Sequence, residues 1–383
     1  MSHRLKILHI ISSWESRVGN ELAEFVVRLP SEEFESEICV LAGSKNGSVP
    51  DVPTTTLDLR WSFDVSTYLG VRRILRRFRP DVVHTWDDAA QFYGAIHYGS
   101  QRVFAEKRDT GVPIGWLQQH VNRKTDRLIV PRKNSALPVA QTVVISPAAV
   151  PLPYCEPMPA EELLAKLDFP LVEPSGDYYP VFQPQYDSVR RNYKPIPPRQ
   201  TPVIIGVVLP LGLEHRILDA LWVCETLNHV HLNFHAFFIG DGKDRELFLR
   251  SRDRWKLFSR VHFLGNRHDV GRLLPNFDVL LHLSSSAEHS GTILSAMSCG
   301  VPVIALETPE SQEYILDGTT GILIPSEGDF RFYRRTTAKK LLHLLENVEL
   351  YQSMKIAAKD RIVKQFNFET AVCQRIHIYR EWR

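Results

Sequence analysis

Residues 284–325 read SSSAEHSGTILSAMSCGVPVIALETPESQEYILDGTTGILIP. A polar loop leads into a short helix over 292–298, which Cys299-Gly300 ends. An apolar strand follows over 301–306, a second loop and helix reach Glu313, and Asp317-Gly318 closes the unit. Loops that leave strands and enter helices present unpaired backbone N–H groups, and the positive end of the helix dipole, to an anion. The stretch predicts an α/β unit organised around an anionic ligand.

The same alternation extends in both directions. Upstream, strands are expected at 203–209, 232–239, 261–264 and 278–283, with helices at 215–227, 243–255 and 270–274 between them. Downstream, helices are expected at 338–347 and 350–366, then a final one at 369–382. The first third repeats the pattern, with strands at 5–11, 37–41, 54–57, 81–85, 102–106, 127–130 and 142–145 and helices at 21–29, 65–78 and 89–98. Strict alternation means βαβ crossovers and parallel, doubly wound sheets. Twelve of the 25 prolines fall between Pro151 and Pro202, where missing donors and fixed φ leave room for little beyond a helix at 160–167. The expected domains are therefore 1–168, a Pro-rich linker and irregular loop over 169–201, and 202–366.

Bulk properties narrow the function classes. A chain of 383 residues, 44% hydrophobic and 23% charged, suffices for two buried cores. A net charge of +2 gives no sign of nucleic-acid binding. Five scattered cysteines without a CxxC pair suit a reducing cytoplasm and argue against a zinc site or disulfide framework. No apolar run reaches the ~18 residues of a membrane span, and the start runs directly into a strand, so no leader is expected. The basic run RRILRRFR (72–79) reads as an exposed helix face, or alternatively as a peripheral membrane contact.

Several segments resemble glycosyltransferase family 4. They are ILHIISSWES near the start, RPDVVHTWDDAAQFYG (79–94), IGDGKDRELFLRSRDRWKLFSRVHFLGNRHDVGRLLPNFDVLL (239–281), GVPVIA, and ETPESQEYILDGTTGILIP. Each is weak alone, but their order and spacing over about 120 residues are not. The resemblance implies the GT-B architecture, two Rossmann-like domains facing a central cleft, with the last helix (369–383) packed back on the first domain. It implies retaining transfer of a sugar from a nucleotide-sugar donor to a glycan or lipid-linked acceptor, without a metal, in the cytoplasm. The donor would lie on the second domain and the acceptor on the first. The oligomeric state is left open.

The chemistry requires stabilisation of a departing diphosphate. Members of the family use helix N-terminal amides, an Arg, a Lys and two Glu with seven residues between them. Laid on that pattern without gaps, the Arg falls on Pro210, the Lys on His215, and the two Glu on Ala287 and Ser295. Arg216 and Glu288 are the neighbouring replacements. Losing one such group costs on the order of 100- to 1,000-fold in rate. The alternative to an active transferase is thus an inactive member that binds nucleotide-sugar or serves as a partner subunit.

The donor-binding candidates are Gly19, His215, Arg216, Gly240, Asp241, Gly242, Asn266, Arg267, Ser290, Gly291, Thr292, Ser295 and Glu313. The catalytic candidates are Glu288, His84 and Arg108. Most carry a second reading. Glu288 is either a sugar contact or a carboxylate favoured by the helix dipole. His215 is either a phosphate ligand or a solvated residue at a helix start. Ser295 is either a ribose contact or a back-bonded helix serine. Glu313 matches the family's Glu, or holds its loop. His84 is either a ligand at a strand end or a hydrogen-bonded core residue. Arg108 is either an acceptor- or phosphate-facing cation or an ion-pair partner.

Overall fold

The computed structural model describes residues 4–14, 17–42, 49–59, 64–96, 102–106, 122, 124–130, 142–145, 148–150, 157–167, 201–230, 232–267, 269–286, 289–327 and 329–382. The chain divides into two compact units, Met1–Pro151 with Phe366–Arg383, and Leu152–Gln365.

The first unit runs β1 (Leu5–Ile11), α1 (Arg17–Val27), β2 (Phe34–Val40), β3 (Thr54–Thr56), α2 (Val65–Phe78), β4 (Val82–Thr85), α3 (Asp88–Ile96), β5 (Arg102–Glu106), β6 (Arg127–Val130) and β7 (Thr142–Val144). The second runs α4 (Ala160–Lys166), β8 (Val203–Val208), α5 (Ile217–His229), β9 (Phe234–Ile239), α6 (Arg245–Arg254), β10 (Val261–Gly265), α7 (Val270–Leu273), β11 (Val279–His282), α8 (Gly291–Ser298), β12 (Val303–Leu306), α9 (Pro309–Tyr314), β13 (Ile322–Ile324), α10 (Phe330–Glu346) and α11 (Val348–Gln365). The chain then returns to the first unit with α12 (Phe368–Arg380).

Among the described residues the first sheet has the order β3-β2-β1-β4-β5-β6-β7 and the second β10-β9-β8-β11-β12-β13. Every strand pair is parallel. β1 is a nearly continuous apolar run because helices cover both faces. Its Leu5, Ile7 and Ile11 share a core with α1 and α12. Leu8 and Ile10 point the other way, into a core with Val71, Ile74 and Leu75 of α2 and with Ala90 and Tyr93 of α3. α2 shows why its basic run folds as it does: Ile74 and Leu75 are buried while Arg72, Arg73, Arg76 and Arg77 are exposed.

Three sequence expectations need correction. The division falls after Pro151, not after 168, because α4 belongs to the second unit. There the Met158 N–H donates to Asn276 Oδ1 at 2.8 Å. α10 starts at Phe330, eight residues before the expected 338. Asp329 caps it by accepting the Phe332 N–H at 2.8 Å. The exposed Phe330 and Phe332 had hidden its apolar stripe. β13 was not foreseen, since three residues carry no readable period. The expected loop at 169–201 lies almost wholly outside the described residues. No helix of the described residues is long and apolar enough to cross a membrane.

Each sheet has one point where the strand order reverses. Connections from β8 run outward through β9 to β10, and those from β11 run the other way to β13. The loops after β8 and β11 therefore part from each other, and ligands of open α/β sheets lie in such crevices beyond the strand C-termini. The corresponding pair in the first unit is β1 and β4.

Candidate functional site

Beyond β8 the chain tightens into a 3-10 turn, Leu213–His215. Arg216 then takes a left-handed conformation (φ 55°, ψ 34°) that redirects it into α5. That turn drives the His215 ring inward, where it is buried. Its Nδ1 shares a hydrogen bond with Ser284 Oγ at 2.9 Å, from the loop after β11. Ser284 Oγ also accepts the Ser286 N–H at 3.1 Å. The His289 ring meets the His215 ring at 81°, with centroids 4.9 Å apart. His282, the last residue of β11, is 2% exposed. Its Nδ1 has no hydrogen-bond partner.

Electrostatics follow from burial. Desolvation, then repulsion from His289 and His215, pushes His282 down to about 3. Desolvation and His215 push His289 down to about 4. Both rings are therefore uncharged at neutral pH. The adjoining α8, two residues beyond His289, has no side-chain cap, so its first amides, at Gly291 and Thr292, have no side-chain acceptor from the cap residue. That set of donors suits an oxygen-rich anion.

The structure brings His215 against His289, which directly precedes Ser290, Gly291 and Thr292 at the head of α8. It takes Arg216 elsewhere. The Arg216 guanidinium lies 4.1 Å from the Tyr333 ring centroid and 3.4 Å from Asp219. Asp219 also holds Arg334 at 2.7 Å. Ser295 Oγ donates to the Gly291 carbonyl at 3.2 Å, the back-bonded arrangement. Glu313 lies in the last turn of α9, where Arg361 Nη2 and Nε donate to the Glu313 and Tyr314 carbonyls, each at 2.7 Å. Arg267 is locked in a two-pronged pair with Asp269, both bonds 2.7 Å, while Asn266 is exposed.

Gly240, at φ +137°, fits where no side chain can, because a Cβ there would collide with the Leu209 carbonyl. The Leu211 N–H in turn donates to the Asp241 carbonyl at 3.1 Å, and Asp241 Oδ1 accepts the Gly242 N–H at 2.8 Å. Residues 240–242 thus lock the loop after β8 in place. Glu288 and Arg108 lie outside the described residues. Sequence reasoning missed Ser284, His282 and His289. The available signal was a pair of histidines seven apart, straddling a strand end and a helix start.

The first unit treats its candidates differently. His84 is fully buried. Its Nδ1 shares a short hydrogen bond with Tyr379 Oη of α12, and Glu106 Oε1 lies 3.6 Å from its Nε2. Arg375, also of α12, donates to Glu106 Oε1 and Oε2 at 2.8 and 3.2 Å and to Glu21 Oε1 at 2.9 Å. His84 is therefore a core residue tied to α12 through Nδ1, with Nε2 facing Glu106 but making no hydrogen bond, and the reading of it as a strand-end ligand gives way to that burial. Gly19 is buried against the chain itself, since a Cβ there would sit 2.5 Å from the Trp14 carbonyl oxygen. Among the described residues no three His, Cys, Asp or Glu side chains gather as a metal site.

Residues 207–347, which contain the histidine cluster, match the family model for Glycosyl transferases group 1. Over this segment the chain is similar to the group 1 glycosyltransferases. Over 141 residues it is 33% identical to N-acetyl-alpha-D-glucosaminyl L-malate synthase of Bacillus anthracis, covering 37% of this chain and 36% of that protein. Over 113 residues it is 31% identical to the lipopolysaccharide glucosyltransferase WaaG of Escherichia coli, covering 30% and 29%. The alignments thus span about a third of the length of these curated relatives.

Likeness in structure extends much further. The crystal structure of Anabaena HepE in complex with UDP-glucose superimposes with a TM-score of 0.71 at 16% identity, covering 99% of this chain and 100% of HepE. That of WaaG gives 0.65 at 12%, covering 96% and 98%. At such identities the likeness is one of fold, and the fold is GT-B, with two parallel α/β sheets.

Proposed function

We propose that this glycosyltransferase moves a sugar from a nucleotide-sugar donor to a glycan or lipid-linked acceptor, with retention at the anomeric carbon and no metal requirement. One observation carries the reading. The His215–Ser284–His289 cluster stands at the β8/β11 reversal, inside the family-matched segment and beside the uncapped head of α8. The donor's diphosphate would rest on the amides around Ser290, Gly291 and Thr292, with His215 in place of the family's Lys. The nucleoside would follow the backbone near Asn266, and Glu288 would contact the sugar hydroxyls. HepE crystallised with UDP-glucose makes the UDP-sugars the first donors to test.

Calorimetric titration with UDP-, GDP- and ADP-sugars, paired with a hydrolysis assay in the presence of EDTA, tests this. One nucleotide series is expected to bind, with slow donor hydrolysis that EDTA leaves unchanged. Absence of binding to all three rejects it. A second reading, a member that binds without turnover, is favoured by one feature: the Ser295 hydroxyl, at a family Glu position, is spent on the Gly291 carbonyl. Tight binding with no hydrolysis and no transfer would decide for it.

A further inference from the structure

The group 1 site ordinarily meets its diphosphate with fixed cations, and here the corresponding positions hold Pro210 and His215. What the fold supplies instead is imidazole. His289 is half-buried, just ahead of the α8 amides, with His215 4.9 Å away ring to ring and the unpartnered Nδ1 of His282 buried in the same cluster.

The charged groups around the cluster are engaged with one another. Glu214, on the 3-10 turn, is exposed and pairs with Lys243 at 3.3 Å. Arg216 turns to Tyr333 and Asp219, and Arg334 reaches Asp219 from α10. Glu288, next to His289 in sequence, lies outside the described residues.

We propose that His289 takes up a proton from solvent when a nucleoside diphosphate binds, so that the ligand itself charges the site. The inference rests on the function proposed above and assigns His289 a binding role within it. Burial and the neighbouring imidazole on their own keep His289 uncharged. A diphosphate brings negative charge into the same poorly solvated space, and an opposite charge within a few ångströms favours the protonated ring. Imidazolium charges this close to one another repel, so the cluster gains one proton and not several. The proton returns to solvent when the diphosphate leaves.

The test is calorimetry of UDP, GDP and ADP binding to the full-length chain, repeated in buffers of different ionisation enthalpy. Work above about pH 7 keeps the nucleotide's terminal phosphate ionised. For whichever nucleotide binds, the expected uptake is about one proton per site, with affinity falling about tenfold per pH unit. His289→Phe keeps an aromatic ring beside His215 and is expected to abolish the uptake and flatten the pH profile. Nucleotide binding by the wild-type chain with no uptake overturns the inference and leaves the proposed function standing. Full uptake by the variant also overturns it, since the proton would then reside elsewhere. Failure of all three nucleotides to bind removes both.

Discussion

The two strand-order reversals of this molecule place histidines at equivalent points and use them in opposite ways. In the first unit, His9 and His84 are register partners on β1 and β4. Trp86 lies against His84 with ring centroids 4.7 Å apart. Arg375 of α12 is spent on Glu106 and Glu21. Burial pushes the Glu106 carboxyl up, but Arg375 and His84 outweigh it and hold it well below the usual carboxylate range. Even the loop amides are consumed, since Asp87 accepts those of Ser12 and Ala90 at 2.7 and 2.8 Å. In the second unit no returning helix fills the reversal among the described residues. Each reversal holds one imidazole nitrogen without a hydrogen bond, His84 Nε2 and His282 Nδ1, but the former lies 3.6 Å from Glu106 and the latter among other imidazoles. A topological switch point is thus only a location. Whether it becomes a site depends on what else the chain brings there.

The contrast breaks most severely if the first unit loses its internal cation. Arg375→Met leaves Glu21 and Glu106 buried and unpaired, and should cost about 3–5 kcal/mol of stability. Urea unfolding followed by a probe in the first unit measures this. Replacing Glu21, Glu106 and Arg375 together with apolar residues should recover most of the loss. In the second unit the corresponding change affects chemistry. His215→Phe should lower donor turnover on the order of 100-fold, while urea unfolding shows a smaller change than for Arg375→Met.

Two further changes sharpen the comparison. Gly240→Ala forces a side chain into φ +137° against the Leu209 carbonyl. It should destabilise the second unit by about 1–3 kcal/mol, read as a lower melting temperature with the first unit unaffected. A pH-dependent effect, absent near neutrality, concerns His235 and His262, whose rings share a 2.8 Å hydrogen bond. Burial, with Arg260 for the former and with His235 and Arg252 for the latter, pushes them down to about 4 and about 3 from an ordinary 6.5. Above that ordinary value neither state is protonated and stability is flat. As pH falls below it the unfolded chain binds protons that the folded chain refuses. Stability then declines by up to about 1.4 kcal/mol per pH unit for each ring, until the folded values are reached. Denaturation between roughly pH 7 and 5 should show a shallower decline in a His235→Phe/His262→Leu variant.

Much of the architecture was legible because it is written locally. β1 and α2 follow their sequence periods to the residue. α1 begins at Arg17, ahead of the apolar run at 22–29 that announced it. The site was legible only in part, because it is assembled by non-local pairing. His215 and Ser284 lie 69 residues apart, and only the β8–β11 adjacency makes them neighbours. His84 looked like a strand-end ligand because the helix that buries it arrives 295 residues later. Arg216 seemed a fair substitute for the missing cation until a left-handed residue redirected it toward Tyr333. Ser295 is the converse case: a serine inside a helix tends to bond the preceding turn, and it does.

The placement of Arg375 also bears on the order in which the chain is made. Synthesis delivers Glu21 and Glu106 first, then the whole of Leu152–Gln365, and only then the helix that neutralises them. A nascent amino-terminal half has two acids destined for its interior and no guanidinium to meet them. On the ribosome the second unit can therefore close before the first, reversing the usual amino-to-carboxyl sequence of domain maturation.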